Sequence, residues 1–305
     1  MTSTPIQYHP SILVGIEGDI WFSEPEDSTT AALIRSMTTL RFSQNRQSDE
    51  IPYIRIGNLP PIKYVVDVIP SEYGEGLLLV LTRRNQLLAI RQEGQQDIMP
   101  GIIDIFKTVN GSYVYLTANR EVRLVDDLVN NQSQSTLIRS DASSIHPLKL
   151  RHDNTIDGVL IRHPQGDDIY SLIDEPFLLK THRLINPIKI NFNNIVLNNS
   201  IIYLSYDRDR LIENIINING ASDATTIETY GLSVALINDQ LRSNSVDNPI
   251  LATDVSKIIH FISAADYPRY QQDGVVIVSR DGTTYNLNYW NKTIDNLEIP
   301  VILSA

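Results

Sequence analysis

Short apolar runs and polar turns alternate along the whole chain. The clearest example is Gly274–Tyr285, where Val275–Val278 is followed by Ser279, an Asp-Gly pair and a second alternating run. An Asp-Gly pair between two such runs is typical of a β-hairpin, because both residues accept the backbone angles of a tight turn. Less regular copies of the same pattern recur in both directions from this stretch, which predicts a chain built from repeated hairpins.

Two markers define seven repeated units. The first marker is a short strand, and it begins near Pro5, Pro61, Pro100, Pro147, Pro187, Thr225 and Ser256. The second marker is the hairpin, and it spans 12–22, 77–90, 113–124, 159–170, 201–212, 231–239 and 275–285. The mean spacing over 305 residues is about 44, within the range of β-propeller blades. The chain is therefore predicted to be all-β.

Continuous apolar runs indicate strands that are covered on both faces. Leu77–Leu81 and Tyr113–Leu116 contain no polar position that could face water, and inner strands of stacked blades meet this condition. We predict one domain over residues 1–305, a seven-bladed β-propeller. Pairing of Ile299–Leu303 with the blade that begins near Pro5 would close the ring and remove its exposed sheet edges.

One segment is open to two interpretations. Residues 27–40 could form a short helix capped at Asp27 or Ser28, with Leu33, Met37 and Leu40 on one face. However, Leu33–Ser36 has the same sequence as Leu137–Ser140. This identity favours an outer strand at both places.

The hairpin turns resemble the repeats of the regulator of chromosome condensation family. The stretches that carry the resemblance are Val278–Gly282, Leu81–Asn85 and Leu116–Asn119. The resemblance implies a seven-bladed propeller, but the family's glycine-rich stretch before the hairpin and its Trp-Gly after it are missing. The family's nucleotide-exchange and chromatin-binding roles therefore transfer to no residue here. The Asn- and Ile-rich repeats also resemble those in proteins of large DNA viruses.

Composition and charge narrow the functional classes. The chain has no Cys, which excludes disulfides and thiolate sites. Its net charge of −11 is opposite to that of a general phosphate-binding surface, so nucleic acid is not an expected partner. The Arg83–Arg84 pair and the pair Arg208 and Arg210 fall in predicted hairpin turns.

Localisation is predicted from missing signals. No apolar stretch reaches the roughly 18 residues of a membrane span, and the first residues lack a basic and apolar leader. An intracellular, cytoplasmic protein is expected, or one of the virion or host cytoplasm if the chain is viral.

Candidate catalytic and metal-binding residues do not form a known motif. The six histidines are His9, His146, His152, His163, His182 and His260, and no two have helical ligand spacing. A cluster of His152 and His163 with nearby Asp153 and Asp157 is conceivable, but an exposed loop is the preferred interpretation. Trp21 and Trp290 could stack a sugar or base, and packing between blades is preferred.

Acidic pairs are interpreted as turns. Asp207-Arg-Asp209 has the spacing of a divalent-cation motif, but it occupies the hairpin position of the fifth unit. Gly166–Asp168 and Asp126–Asp127 are interpreted in the same way.

These observations lead to a functional hypothesis. No catalytic, cofactor-binding or metal-binding residue is assigned, and no cofactor is expected. The preferred function is a non-catalytic protein-interaction scaffold that uses its loop faces, because a rigid ring displays many variable loops. The alternative is an enzyme or carbohydrate-binding propeller with a site at the mouth of the central channel.

Overall fold

A computed structural model describes most of the chain. The described residues are 12–14, 20–23, 53–56, 59–69, 77–91, 94–129, 134–150, 156–184, 186–191, 193–207, 210–227, 232–243, 250–262, 273–279, 284–288 and 293–296. The predicted strands near Pro5 and at Ile299–Leu303, and the segment 27–40, lie outside these ranges.

The described residues form seven antiparallel sheets, one with three strands and six with four. In each sheet the strands follow one another in sequence order, so each strand pairs with the strand before it and the strand after it in the chain. The first three sheets are β1 (Ile12–Val14), β2 (Ile20–Ser23) and β3 (Tyr53–Ile56); β4 (Ile62–Ile69), β5 (Leu77–Thr82), β6 (Gln86–Arg91) and β7 (Gly94–Pro100); and β8 (Ile102–Lys107), β9 (Tyr113–Thr117), β10 (Val122–Val125) and β11 (Thr136–Arg139).

The other four sheets follow in chain order. They are β12 (Ser144–Leu148), β13 (Gly158–His163), β14 (Gly166–Ser171) and β15 (Phe177–His182); β16 (Lys189–Asn191), β17 (Asn194–Val196), β18 (Ser200–Asp207) and β19 (Arg210–Asn217); β20 (Ala221–Ile227), β21 (Leu232–Ile237), β22 (Gln240–Ser243) and β23 (Ile250–Ala252); and β24 (Val255–Ile262), β25 (Asp273–Ser279), β26 (Thr284–Asn288) and β27 (Thr293–Asn296).

The sheets begin where the sequence repeat places them. The first strand of each four-stranded sheet, β4, β8, β12, β16, β20 or β24, contains or closely follows a predicted unit start. The prediction of an all-β fold built from repeated units is therefore confirmed over the described residues, where six of the sheets have four strands. The strand interpretation of Leu137 is also confirmed, because Thr136–Arg139 is the last strand of its sheet.

The chain divides into two compact units. The N-terminal unit contains β1–β11, and the C-terminal unit contains β12–β27 together with residues 108–110. In the N-terminal unit, Leu79, Leu81, Leu87, Ile102 and Ile105 pack in one core cluster. Every residue of β5 is buried, as are Tyr113–Leu116 of β9, so the predicted cover on both faces is confirmed.

In the C-terminal unit, core residues come from successive sheets. One cluster joins Leu148 and Leu160 to Ile195 and Ile202, and so packs the sheet β12–β15 against the sheet β16–β19. A second cluster joins Val196 and Ile201 to alanines of the sheet β20–β23. The sheets β12–β15, β16–β19 and β20–β23 therefore share their cores in succession.

The recurring Leu-Thr pair has a structural role in the turn. Thr82 Oγ1 accepts a hydrogen bond from the Gln86 backbone N–H at 3.1 Å, and Thr117 Oγ1 accepts one from Glu121 N–H at 3.2 Å. In each turn the third residue after the threonine is left-handed, Asn85 with φ 61° and Arg120 with φ 66°, and Thr117 N–H bonds to the Glu121 carbonyl across the second turn. This is the geometry of a three-residue hairpin loop, so the threonine closes the turn that the sequence pattern predicted.

Candidate functional site

Large apolar side chains are exposed on the last strands of sheets in the C-terminal unit. Phe177 and Leu178 lie on β15, and Phe177 is 66% exposed. Ile212 and Ile215 lie on β19, and Ile215 is 61% exposed. We call these four residues the outer-strand surface, in which each strand presents its two apolar side chains on opposite faces. Exposed apolar side chains of this size at the edge of a sheet are candidates for contact with a partner.

One carboxylate connects β15 to β19. Glu213 accepts a hydrogen bond from Lys180 Nζ at 2.7 Å, and its other oxygen contacts His182 Nε2. The three side chains are partly exposed, so each pair alone adds little stability. Together they fix the two strands relative to each other and leave the apolar side chains beside them free to contact a partner.

The sequence predicted an exposed turn at Asp167 and Asp168, and this prediction is wrong. Both aspartates lie on β14 and are buried. The turn is at Pro164–Gln165 instead, and successive strand residues point to opposite faces. Asp167 accepts hydrogen bonds from Arg162 Nε at 2.7 Å and from Leu184 N–H at 3.0 Å.

His163 is also buried, contrary to the predicted exposed loop. It ends β13, and only 3% of its side chain is exposed. Its Nε2 lies 3.4 Å from Asp168 Oδ2, and Thr181 Oγ1 donates to the other oxygen of that carboxylate at 2.7 Å. These contacts form a structural network between adjacent strands. His152 and Asp153, the other predicted neighbours of His163, lie outside the described residues.

His146 lies on β12 and is almost completely buried. Its Nε2 is 3.1 Å from Ser144 Oγ, and its buried Nδ1 has no hydrogen-bond partner among the residues that the structure describes. Burial, and to a smaller extent the nearby Arg162 charge, lower the pKa of His146 to about 3. A histidine that stays neutral at ordinary pH cannot act as a general acid there.

The remaining sequence candidates are scattered. His182 contacts Glu213 on the outer strands, His260 lies on β24 and Trp21 lies on β2. His9 and Trp290 lie outside the described residues. Arg83 and Arg84 are exposed in the predicted turn between β5 and β6, and Asp126 and Asp127 are exposed after β10. The predicted hairpin at Asp207–Arg210 is confirmed, because β18 ends and β19 begins there.

A second polar cluster joins the first strands of three sheets in the C-terminal unit. Lys189 Nζ contacts Asp223 Oδ2 and donates to the Ile258 carbonyl at 3.2 Å. Burial raises the pKa of Asp223, and the Lys189 charge opposes this rise. Burial lowers the pKa of Lys257, as does Lys189, while Asp223 opposes the change. The cluster joins strands that share no backbone ladder, and sequence reasoning missed it because its members lie far apart in the chain.

The N-terminal unit has a comparable arrangement. Tyr64 on β4 contacts the Asp104 carboxylate on β8 and accepts a hydrogen bond from Ile105 N–H at 2.9 Å. Asp67 accepts bonds from Tyr113 at 2.5 Å and from Lys107 at 2.8 Å. Burial raises the pKa of both tyrosines, and the neighbouring carboxylates raise it further. These side chains bind adjacent sheets to each other.

Two further properties bear on the candidate functions. Among the residues that the structure describes, no group of three or more His, Asp or Glu side chains could hold a metal ion. In the same ranges, no helix has the length and apolar character needed to cross a bilayer.

No protein-family model matches this chain, and no curated protein sequence matches it. The resemblance to regulator of chromosome condensation repeats therefore stays a prediction.

Several solved structures align with this chain at TM-scores below 0.5. One is BBS1N in complex with ARL6DN, with a TM-score of 0.49 and 9% identity over 78% of this chain and 82% of that chain. Another is AztD of Citrobacter koseri, with a TM-score of 0.48 and 7% identity over 80% of this chain and 74% of that chain. A third is Hsv2 of Kluyveromyces lactis, with a TM-score of 0.42 and 10% identity over 73% of this chain and 74% of that chain.

Proposed function

We propose that the protein is a non-catalytic interaction scaffold that binds other proteins through the outer-strand surface together with its connecting loops. The observation that carries this proposal is the exposure of Phe177, Leu178, Ile212 and Ile215 on two connected strands. Aromatic and aliphatic side chains of this size are expensive to leave in water, and they supply most of the binding energy when a partner covers them. A protein partner fits this surface, and the net charge of −11 disfavours nucleic acid.

The composition of the Lys189 cluster also supports a non-catalytic role. The Lys189 cluster contains one carboxylate and two lysines, whereas glycoside hydrolysis needs two carboxylates at a set separation. Each described cluster connects neighbouring strands through hydrogen bonds. The same contacts stabilise the scaffold, so the clusters have a sufficient structural explanation.

We also propose the finer architecture that the repeat predicts. Seven blades form one propeller, and Ile299–Leu303 supplies the fourth strand of the three-stranded sheet β1–β3. The count of seven described sheets and the regular order of strands within each of them support this proposal.

Charged substitutions on the outer-strand surface test the binding function. The variant Phe177→Glu, Leu178→Glu should lose specific partners in quantitative affinity capture with mass spectrometry, because two carboxylates would replace the apolar contact. The matched control is Leu137→Glu, which changes an equally exposed leucine on β11 in the N-terminal unit. Circular dichroism would check that both variants fold. An identical set of captured proteins for all three forms would contradict the proposal.

A further inference from the structure

Among the described residues, no strand pairs with the outer edge of β19, and this edge is unusually regular. It is eight residues long, the longest last strand among the described sheets. All eight of its residues pair with β18 without a register shift. The last strands β7, β11, β15 and β23 each join their sheet through a register shift, and β27 has four residues.

Proteins usually protect such edges. Bulges, prolines, short strands and unpaired charges prevent another strand from adding to a sheet. The strand β7 follows this rule, since it has a register shift, begins with Gly94 and ends with Pro100. By contrast, β19 contains neither Gly nor Pro. Its carboxylate at Glu213 is bound by Lys180 and His182 and so does not guard the edge.

We propose that β19 pairs antiparallel with β19 of a second copy of this chain, about a twofold axis at Asn214. The two copies of β19 would form one continuous sheet, and the twofold axis that relates them is perpendicular to that sheet. Such an axis keeps each side chain on its own face, so the same face of both copies lies on the same side of the joined sheet. Because side chains alternate between faces, one residue must then lie opposite its own copy. Only two such registers, centred on Glu213 or on Asn214, pair seven of the eight residues.

The charges decide between these two registers. Centring on Glu213 would place two carboxylates directly opposite each other, which is destabilising. Centring on Asn214 places two amides opposite each other, and each amide both donates and accepts hydrogen bonds. In that register Ile212 lies opposite Ile216 of the second copy, and Ile215 lies opposite its Glu213. Apolar side chains therefore meet on one face, and no like charges meet on either face.

This inference goes beyond the proposed scaffold function: the second copy would cover Ile212 and Ile215, and Phe177 and Leu178 of the outer-strand surface would remain for another partner. A contact confined to two edge strands buries little surface, so we expect reversible dimerisation with a Kd on the order of micromolar. Alternate residues of β19 direct their backbone N–H and C=O groups outward, and the second copy would satisfy these groups.

A cysteine scan tests the register. The chain has no Cys, so each variant carries a single thiol. Asn214→Cys should form a disulfide-linked dimer in oxidised glutathione, because self-opposed residues lie within disulfide range. Ile212→Cys is the matched control, since its two copies would be about 13 Å apart along the ladder. Faster crosslinking of Ile212→Cys than of Asn214→Cys would overturn the register.

Two substitutions of opposite charge at Ile215 give an independent test. Ile215→Glu places a carboxylate opposite Glu213 of the second copy, and Ile215→Lys places an ammonium there. Sedimentation of each variant over a concentration series should show dimerisation weakened about tenfold by Glu relative to Lys. Equal loss in both variants would overturn the Asn214-centred pairing. Wild-type chain that stays monomeric up to about 100 µM, well above the expected Kd, would overturn the dimer itself.

Discussion

At the scale of single residues, the buried His146 makes the stability of the fold depend on pH. Its pKa in the folded chain is about 3, whereas an exposed histidine has a pKa of about 6.5. As pH falls below about 6.5, His146 is therefore protonated in the unfolded chain, whereas it stays neutral in the folded chain. The contribution of neutral His146 to the free energy of unfolding is therefore complete above about pH 6.5. It decreases steadily as the pH falls from about 6.5 towards 3.

Replacing this imidazole should flatten the acid side of the stability profile. Between pH 7 and pH 4.5, the wild-type chain should lose about 2–3 kcal/mol through this group, and His146→Gln should not show that loss. Urea unfolding at a series of pH values measures the difference. Parallel profiles for the two proteins would show that His146 is accessible to protons in the folded chain.

The aspartates of β14 show what residue patterns cannot reveal. Gln165-Gly-Asp-Asp168 has the composition of a turn, yet the turn occupies Pro164–Gln165 and both aspartates enter the strand. The stabilising partners Arg162 and Thr181 come from the strands on either side. A buried carboxylate is recognisable only when such partners are known, and the sequence does not place them.

At the scale of the element, the hairpin turn depends on one hydroxyl. Thr82 is fully buried, and its Oγ1 satisfies the Gln86 backbone N–H. Thr82→Val keeps the shape but leaves this donor without a partner, so it should cost about 1–3 kcal/mol. Thr82→Ser keeps the hydroxyl and should recover most of the loss. Chemical denaturation of both variants measures it, and equal destabilisation by Val and Ser would show that packing of the methyl group dominates.

The sequence predicted the strands better than their exposure. Apolar runs with Thr and a turn residue specify hairpins locally, which is why β5–β6 and β9–β10 appear where expected. The outer-strand surface was not predicted, because Arg210–Asn217 lacks the strict alternation that distinguishes a buried face from an exposed one. Its exposure follows from its place at the end of a sheet, which is a property of topology.

At the scale of the whole molecule, the repeat predicts that the two termini complete one blade. A variant that ends at Asn296 would lack Ile299–Leu303, so the sheet β1–β3 would keep an open edge. We expect a lower thermal unfolding midpoint for this variant, because the apolar side chains of Ile299–Leu303 would no longer be buried. The control is removal of residues 1–4, which precede the first predicted strand. Equal midpoints for the truncated and complete chains would contradict closure.

The architecture was predictable because each sheet is built from consecutive strands. Local patterns can specify such a meander without knowledge of distant contacts. The side-chain connections between sheets, such as Lys189 to the Ile258 carbonyl, span 69 residues. They depend on how sheets stack, and no local pattern encodes that arrangement.

The contact of Glu213 with both Lys180 and His182 has an entropic consequence. It holds the ends of two sheets in place before anything binds, so a partner would not have to immobilise them itself. Ordering of side chains and strands is a large part of the cost of association. A rigid platform of this kind would favour affinity without additional contact area, and neutralising Glu213 would weaken binding while leaving every apolar side chain in place.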